Sequence, residues 1–489
     1  MVKTINVDSS LSKYFNTIVE TGKPTCGIII GKTSKTKDYV VNLIKCPTKD
    51  AAFKLDDQWV ASHAVNVSHM LPGGVAVIGV FVVADTKTVD ATALRKVVYS
   101  VYRRLSQIKS SYGLKLTSEE SLSYTALHVD VSSGRTLSCK QYDVLDNGSG
   151  TKPADWKYVN SPTRWSTLKT EVCFDKLFYV DSLTEVMKEL KTSLSEFSCD
   201  VTNGIVCIDD VIRNNEDVLD PEPSSGKGKK SKNTNPSKWG KTFHCKLYLP
   251  LKGDEDINEV EASSHKCSVH LHGTITGLAY TTSKTTVEEA VHQLKCDIIQ
   301  NLFHRYNLLK QNLEDHKTKL CPTMHIALPK RLLFTEGESE NFMFSEFLFR
   351  NEPIAEGVDR IRETFSPDVK EDLIHSEAEK FPENLIQSIQ DEPEIEETPE
   401  DLTEAFDQLE PTRTTDLPTQ ETTQPTYTTD DTTTTNEEEN VEKSSSQTES
   451  QSPKDEASKV SLLQSTKGFV AAGVAVVVAF LMSYLSLRD

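Results

Sequence analysis

Several signatures are missing from this sequence, and each absence removes a class of protein. The ten cysteines, at 26, 46, 139, 173, 199, 207, 245, 267, 296 and 321, include no Cys-x-x-Cys pair. In a chain this long that scatter reads as the reduced, mostly buried thiols of a cytosolic protein. The N-terminus, Met-Val-Lys-Thr-Ile-Asn-Val-Asp, lacks the charged-then-apolar pattern of a secretory leader. No Gly-x-Ser-x-Gly is found, no Gly-x-Gly-x-x-Gly opens a helix, and no carboxylate pair sits on a catalytic frame. Gly226-Lys-Gly-Lys-Lys-Ser231 lacks the spacing of a phosphate-binding loop. Long apolar runs are absent too, except for one.

That run, Gly468 to Leu487, carries no charge over twenty residues, and only Arg488 and Asp489 follow it. As a helix it would rise about 30 Å, enough to cross the hydrocarbon core of a bilayer. Gly468, Phe469, Phe480, Leu481, Tyr484 and Leu487 are its anchoring positions. The expectation is a tail-anchored, single-pass protein with its bulk in the cytosol. The sequons Asn66-Val-Ser68 and Asn147-Gly-Ser149 would then be chance matches. Lys459, Lys467 and Arg488 flank the run only mildly and do not separate endoplasmic reticulum from mitochondrial outer membrane. Gly468 and Gly473 are five apart, so no Gly-x-x-x-Gly dimerisation face is present.

The formal charge of −19 is local. Between Asn351 and Val460 there are 31 acidic and 8 basic residues, so the remainder is slightly basic. Residues 366–460 are acidic, then threonine-rich, then serine-rich, and too poor in apolar side chains to build a core. They read as a tether with a root-mean-square span on the order of 55 Å. Leu385, Ile386, Ile389, Ile395, Leu402 and Phe406 are its sparse apolar points.

Residues 1–160 read as an α/β domain. Pro24–Gly31 and Asp38–Lys45 are paired strands, and Asp56 caps a helix that runs to Met70 and stops at Pro72-Gly73-Gly74. Val75–Val83 is an apolar, β-branched run suited to a strand buried on both faces. A helix over Val89–Leu105 follows, then strands Thr125–Val131 and Arg135–Tyr142 joined through Ser132-Ser133-Gly134. This order resembles the MPN fold of JAMM-type isopeptidases, most of all in the helix, Pro-Gly-Gly and strand unit. Active members end that strand with two zinc-binding histidines. Here Val82 and Ala84 stand at those positions, and an alkyl group cannot coordinate zinc.

Trp59-Val-Ala-Ser-His63, His69-Met-Leu-Pro-Gly-Gly74, Gly79-Val-Phe81 and Pro153-Ala-Asp-Trp-Lys-Tyr158 carry a closer resemblance, to the odorant response abnormal protein 4 family. Its members join an MPN-like domain to a second α/β region, an acidic linker and a C-terminal anchor. The resemblance implies a non-catalytic adaptor at the endoplasmic reticulum, without cofactor, that supports folding, maturation and ciliary delivery of odorant-type G-protein-coupled receptors. It also implies partnership with the cysteine protease that removes the ubiquitin-fold modifier. Trp59, Met70, Leu71 and Trp156 are the candidates for core or partner contact.

Residues 165–350 read as a second α/β unit with strands near Glu171–Tyr179, Gly204–Ile208, Thr242–Pro250, Ser268–Ala279 and Met324–Pro329. A helix over Thr286–Leu313 presents Val287, Ala290, Val291, Leu294, Ile298, Leu302 and Leu309 on one face. The basic insert 221–241 reads as a solvated loop. Attraction of its lysines to anionic lipid or RNA is the weaker reading, and no nucleic-acid partner is expected. On a strand, His270 and His272 share a face while His265 and Cys267 point the other way, which breaks up the one tempting metal cluster. His63, His69 and His128 share the first domain with Cys26, Cys46 and Cys139, but no spacing singles out a nucleophile. The competing classes are an MPN-related hydrolase with a displaced metal site and a tail-anchored vesicle tether. The tether would need a heptad coiled coil, which the polar stretch Asn436–Val460 does not supply.

Overall fold

Asp8 opens the folded part by accepting a hydrogen bond from the Ser10 amide at 3.1 Å, which turns strand β1 (Lys3–Asp8) through a short 3-10 turn into helix α1 (Ser12–Glu20). The computed structural model describes residues 2–381 except 35, 48–52, 115–122, 147, 161, 222–238, 251–264, 316–320 and 337–341. The expected anchor, with Gly468, Phe469, Phe480, Leu481, Tyr484 and Leu487, therefore lies outside the described residues. So do residues 382–460 of the tether and 222–238 of the basic insert. Among the described residues no helix is long and apolar enough to cross a membrane.

Strands β2 (Thr25–Lys32) and β3 (Lys37–Lys45), helix α2 (Asp57–Met70), strand β4 (Ala76–Val83), helix α3 (Ala91–Ser111) and strands β5 (Ser123–Val129) and β6 (Thr136–Asp143) follow in the expected order. Asp56 caps α2 through the amides of Gln58 and Trp59, at 3.0 and 3.2 Å. Two features go beyond the expectation. β1 with α1 is an added unit, and β7 (Lys152–Val159) is a full strand. Because β1 lies parallel to both β3 and β7, the sheet closes into a barrel of order β1-β3-β2-β4-β5-β6-β7. Closure leaves no free sheet edge among the described residues of this part.

Alternation along the strands gives the barrel two apolar faces. Ile29, Val40, Phe81 and Leu127 point inward, and α1 closes that core with Phe15 and Ile18. Ile28, Ile44, Val80 and Val82 point outward beneath α2 and α3.

The second part is built on β8 (Trp165–Val180) and β11 (Cys267–Thr282), which pair antiparallel over sixteen residues each. Between and around them come α4 (Leu183–Asn203), β9 (Ile205–Ile208), β10 (Trp239–Tyr248), α5 (Val287–Asp315) and β12 (Thr323–Ala327). The sheet order is β12-β11-β8-β10-β9. Trp239-Gly-Lys241, expected as the end of the basic loop, is already strand. A smaller sheet, β14-β13-β15, joins β13 (Lys330–Thr335), β14 (Met343–Leu348) and β15 (Ile374–His375), with α6 (Ile354–Thr364) beside it.

Two boundaries differ from the sequence reading. The fold continues past 350 and past the expected start of the tether at 366, because Ile361, Phe365 and Val369 enter the core and Glu379 is buried. The expected units 1–160 and 165–350 also share a core: Phe334, Phe342 and Phe344 pack with the outward face of the barrel and α2.

Candidate functional site

Val82 and Ala84 are wholly buried. In register, Val82 lies between Cys26 of β2 and His128 of β5. The Ala84 carbonyl lies 3.1 Å from His128 Nε2, and its amide donates to the Val129 carbonyl at 3.0 Å.

On β11 Cys267 lies on the opposite face from His270 and His272, as strand alternation requires, while His265 precedes the strand. Cys267 and Val269 are buried in the core, while the His270 and His272 rings lie side by side, centroids 4.7 Å apart. Parallel pairing with β12 brings in His325, which the sequence did not group with them, at 5.6 Å from His270. His270 Nε2 is 2.7 Å from Asp175, and His265 Nδ1 is 3.2 Å from Asp181. Among the described residues no group of three His, Cys, Asp or Glu has metal-holding geometry.

Of the four partner candidates, Met70 and Leu71 are core residues, 4% and 5% exposed. Trp59 is 37% exposed, and its indole N–H donates to the Pro47 carbonyl at 2.9 Å. Trp156 lies on β7 against Phe15 and Tyr158, with ring centroids 6.3 and 6.4 Å away. Only the two tryptophans therefore offer any surface.

The densest polar construction lies where Pro72-Gly73-Gly74 meets β11 and α5. The Tyr280 amide donates to the Gly73 carbonyl at 2.8 Å, so the turn extends the β11 ladder. A Cβ at residue 73 would come within 2.4 Å of the Gln293 carbonyl, and Gly74 has a left-handed φ of 78°. Beneath the turn, Asp297 accepts from the amides of Gly73 (3.1 Å) and Leu278 (2.8 Å) and from both terminal nitrogens of Arg331 (2.8 and 3.2 Å). Arg331 also donates to the Thr276 carbonyl and to Ser345 Oγ. A second pair, Arg305 with Glu379 at 2.8 Å, is joined to the first because Glu379 accepts from the Thr276 and Arg331 amides. These four charged side chains are at most 1% exposed. Buried charges persist only when paired and hydrogen-bonded in this way.

Above the turn is a cavity of about 250 Å³, lined among others by Lys32, His69, Lys109, Tyr112, Gln293 and Cys296. Lys32 reaches Glu289 at 2.8 Å and Thr285 at 3.3 Å. Gln293 donates to Glu289 at 2.8 Å, while its Oε1 is buried without a partner among the described residues. His69 stacks on His304 at 4.0 Å. Burial lowers the His69 pKa to about 4 and holds His304 well below the ordinary histidine value. Burial also pushes the Cys296 thiol up to about 11, so it is no ready nucleophile. The lining suits the binding of a small polar group better than covalent chemistry.

The sequence carried one unread signal for this site. Asp297, Asn301 and Arg305 recur at i, i+4 and i+8 inside the apolar stripe of α5, and all three are buried. Polar residues in line on a buried helix face announce an internal network, but their partners at 331 and 379 are invisible without the fold.

A family model described as "ODR4-like: Odorant response abnormal 4-like" matches residues 27–376, from β2 to the last 3-10 turn. The chain belongs to the ODR4-like family. Among ODR4-like relatives, the mouse "Protein odr-4 homolog" is 28% identical over 397 residues, covering 76% of this chain and 85% of its own length. The human "Protein odr-4 homolog" is 27% identical, with the same coverage. The Caenorhabditis elegans "Odorant response abnormal protein 4" is 22% identical over 329 residues, covering 64% of this chain and 65% of its own. The ODR4-like fold also has a loose likeness to the crystal structure of UfSP from C. elegans. The TM-score is 0.38 with 7% identity, over 74% of this chain and 56% of that one, too loose to carry an argument.

Proposed function

We propose that this ODR4-like chain is a non-catalytic adaptor, held at the endoplasmic reticulum membrane by residues 468–487, that supports maturation and trafficking of odorant-type G-protein-coupled receptors. The observation that carries the non-catalytic part is the pair of buried alkyl side chains, Val82 and Ala84, at the positions where an MPN-type hydrolase would need ligands. The odorant-receptor part rests on the names of the relatives. The reading treats the seven-stranded barrel as an MPN-like domain that binds protein through its helices rather than holding metal. It further takes the ubiquitin-fold-modifier protease as a partner recruited to the membrane.

The test is affinity purification of the full chain and of a version lacking residues 468–489, each followed by mass spectrometry. The shortened form is expected to become soluble and to keep its protease partner. Retention of the shortened form in carbonate-washed membranes would overturn the anchor. Absence of the protease from both samples would overturn the recruitment.

A further inference from the structure

Cys26 and Cys46 face one another across the mouth of the β2–β3 hairpin. The register that pairs Gly27 with Lys45 and Ile28 with Ile44 puts Cys26 opposite Cys46 at its next step. The Cys46 amide donates to the Cys26 carbonyl at 2.9 Å, which fixes that pairing. Residues so paired have Cα atoms about 5.5 Å apart and side chains on the same face. Disulfides span Cα separations of roughly 4.4–6.8 Å. Both side chains meet the core on the outward face of the barrel, where Val82 also packs. Cys46 is buried and Cys26 only partly so, which leaves Cys26 as the residue of the pair nearer to solvent.

We infer that Cys26 and Cys46 form a reversible thiol–disulfide site, with hydroperoxides as the oxidant class. The Cys26 thiolate attacks the peroxide O–O bond, giving a sulfenic acid and, with hydrogen peroxide, one water. The Cys46 sulfur then attacks the Cys26 sulfur. The S–S bond forms, and the hydroxyl group leaves with the Cys46 proton as a second water. Two thiols are oxidised as one peroxide is reduced. The local electrostatics fit these roles. A hydrogen bond from Cys46, helped by Lys45 and opposed by burial, lowers the Cys26 pKa. The same bond, with burial, raises the Cys46 pKa well above the ordinary thiol value. By contrast, burial pushes Cys139 and Cys245 up to about 12.

The experiment uses the full chain, treated with hydrogen peroxide, alkylated, digested without reductant and mapped by mass spectrometry. Cys26 and Cys46 are expected to lose their alkylation together and to appear as one linked peptide that dithiothreitol separates. In Cys46→Ser, dimedone should trap a sulfenic acid on Cys26. In Cys26→Ser, Cys46 should stay alkylatable. Both cysteines remaining free in the peroxide-treated wild-type chain would overturn the inference, and so would linkage of either to another cysteine. The wild-type map needs no variant to fold, so the outcome does not depend on the substitutions.

Discussion

Asp38 in the barrel and Asp297 in the second part are both buried carboxylates, 0% and 1% exposed, yet they are held differently. Asp38 points into the barrel and pairs with Lys3 at 2.7 Å, whose side chain is still 13% exposed. Gln141 adds a hydrogen bond at 3.1 Å. Burial nonetheless raises the Asp38 pKa against the pull of Lys3. Asp297 has a wholly buried arginine bound through two nitrogens and two backbone amides, one of them from the Pro-Gly-Gly turn of the first part. The barrel is held by closure and apolar packing and holds a buried carboxylate whose lysine partner still reaches solvent. The second part fastens itself to the barrel with charges that no solvent can rescue.

Removing one partner should separate the two regions most clearly. Arg331→Met leaves Asp297 charged, buried and short of a counter-ion, and should cost about 3–5 kcal/mol in urea or thermal denaturation. A loss under about 1 kcal/mol would mean that the joint is not electrostatically fastened.

Acid should probe the joint next. Folded pKa values of about 4 for His63 and His69 lie below the unfolded value, so their neutral forms are favoured in the native state. That stability is complete above about pH 6.5 and is lost as the pH falls towards 4. Each ring should remove on the order of 2 kcal/mol between pH 7 and pH 5. His69→Phe should flatten its share of the slope, read as Tm against pH. An unchanged slope would mean that the His69–His304 stack already admits protons.

The smallest effect is expected in the barrel. Asp38→Asn should change stability by less than about 1 kcal/mol, because the native pocket already disfavours the charge and Lys3 can turn to water. A loss as large as that of Arg331→Met would erase the contrast between the two regions.

Much of the barrel was legible before folding. The Asp56 cap, the α2 stripe ending at Pro72 and the β-branched run of β4 are local features, and local features obey propensity and periodicity. β7 was only partly readable. Lys152–Val159 exposes much of its length, and its pairing with β1 is set by ring closure across about 150 residues of chain. α4 was overlooked although Val186, Leu190, Leu194, Phe197 and Val201 fall at helical spacing. β13 and β14 fall inside the expected second unit, at positions where no strand is read from the sequence, and α6 falls in an acidic stretch between 350 and 366 although Val358, Ile361 and Phe365 supply enough apolar surface to pack. The joint could not be read at all, since its charges come from residues 297, 305, 331 and 379, each unremarkable in its own stretch.

The sequence by itself determined the order of strands and helices from β2 to β6, that alkyl groups stand at 82 and 84, and that the chain resembles the family to which it belongs. Those facts follow from the identity and spacing of near neighbours. Tertiary structure alone decided that the barrel closes, that the two parts share a core, that Arg331 finds Asp297 under Gly73, and that Cys26 faces Cys46. Each of these is a meeting of residues distant in the chain or fixed by strand register, chosen by burial and hydrogen bonding rather than by local propensity.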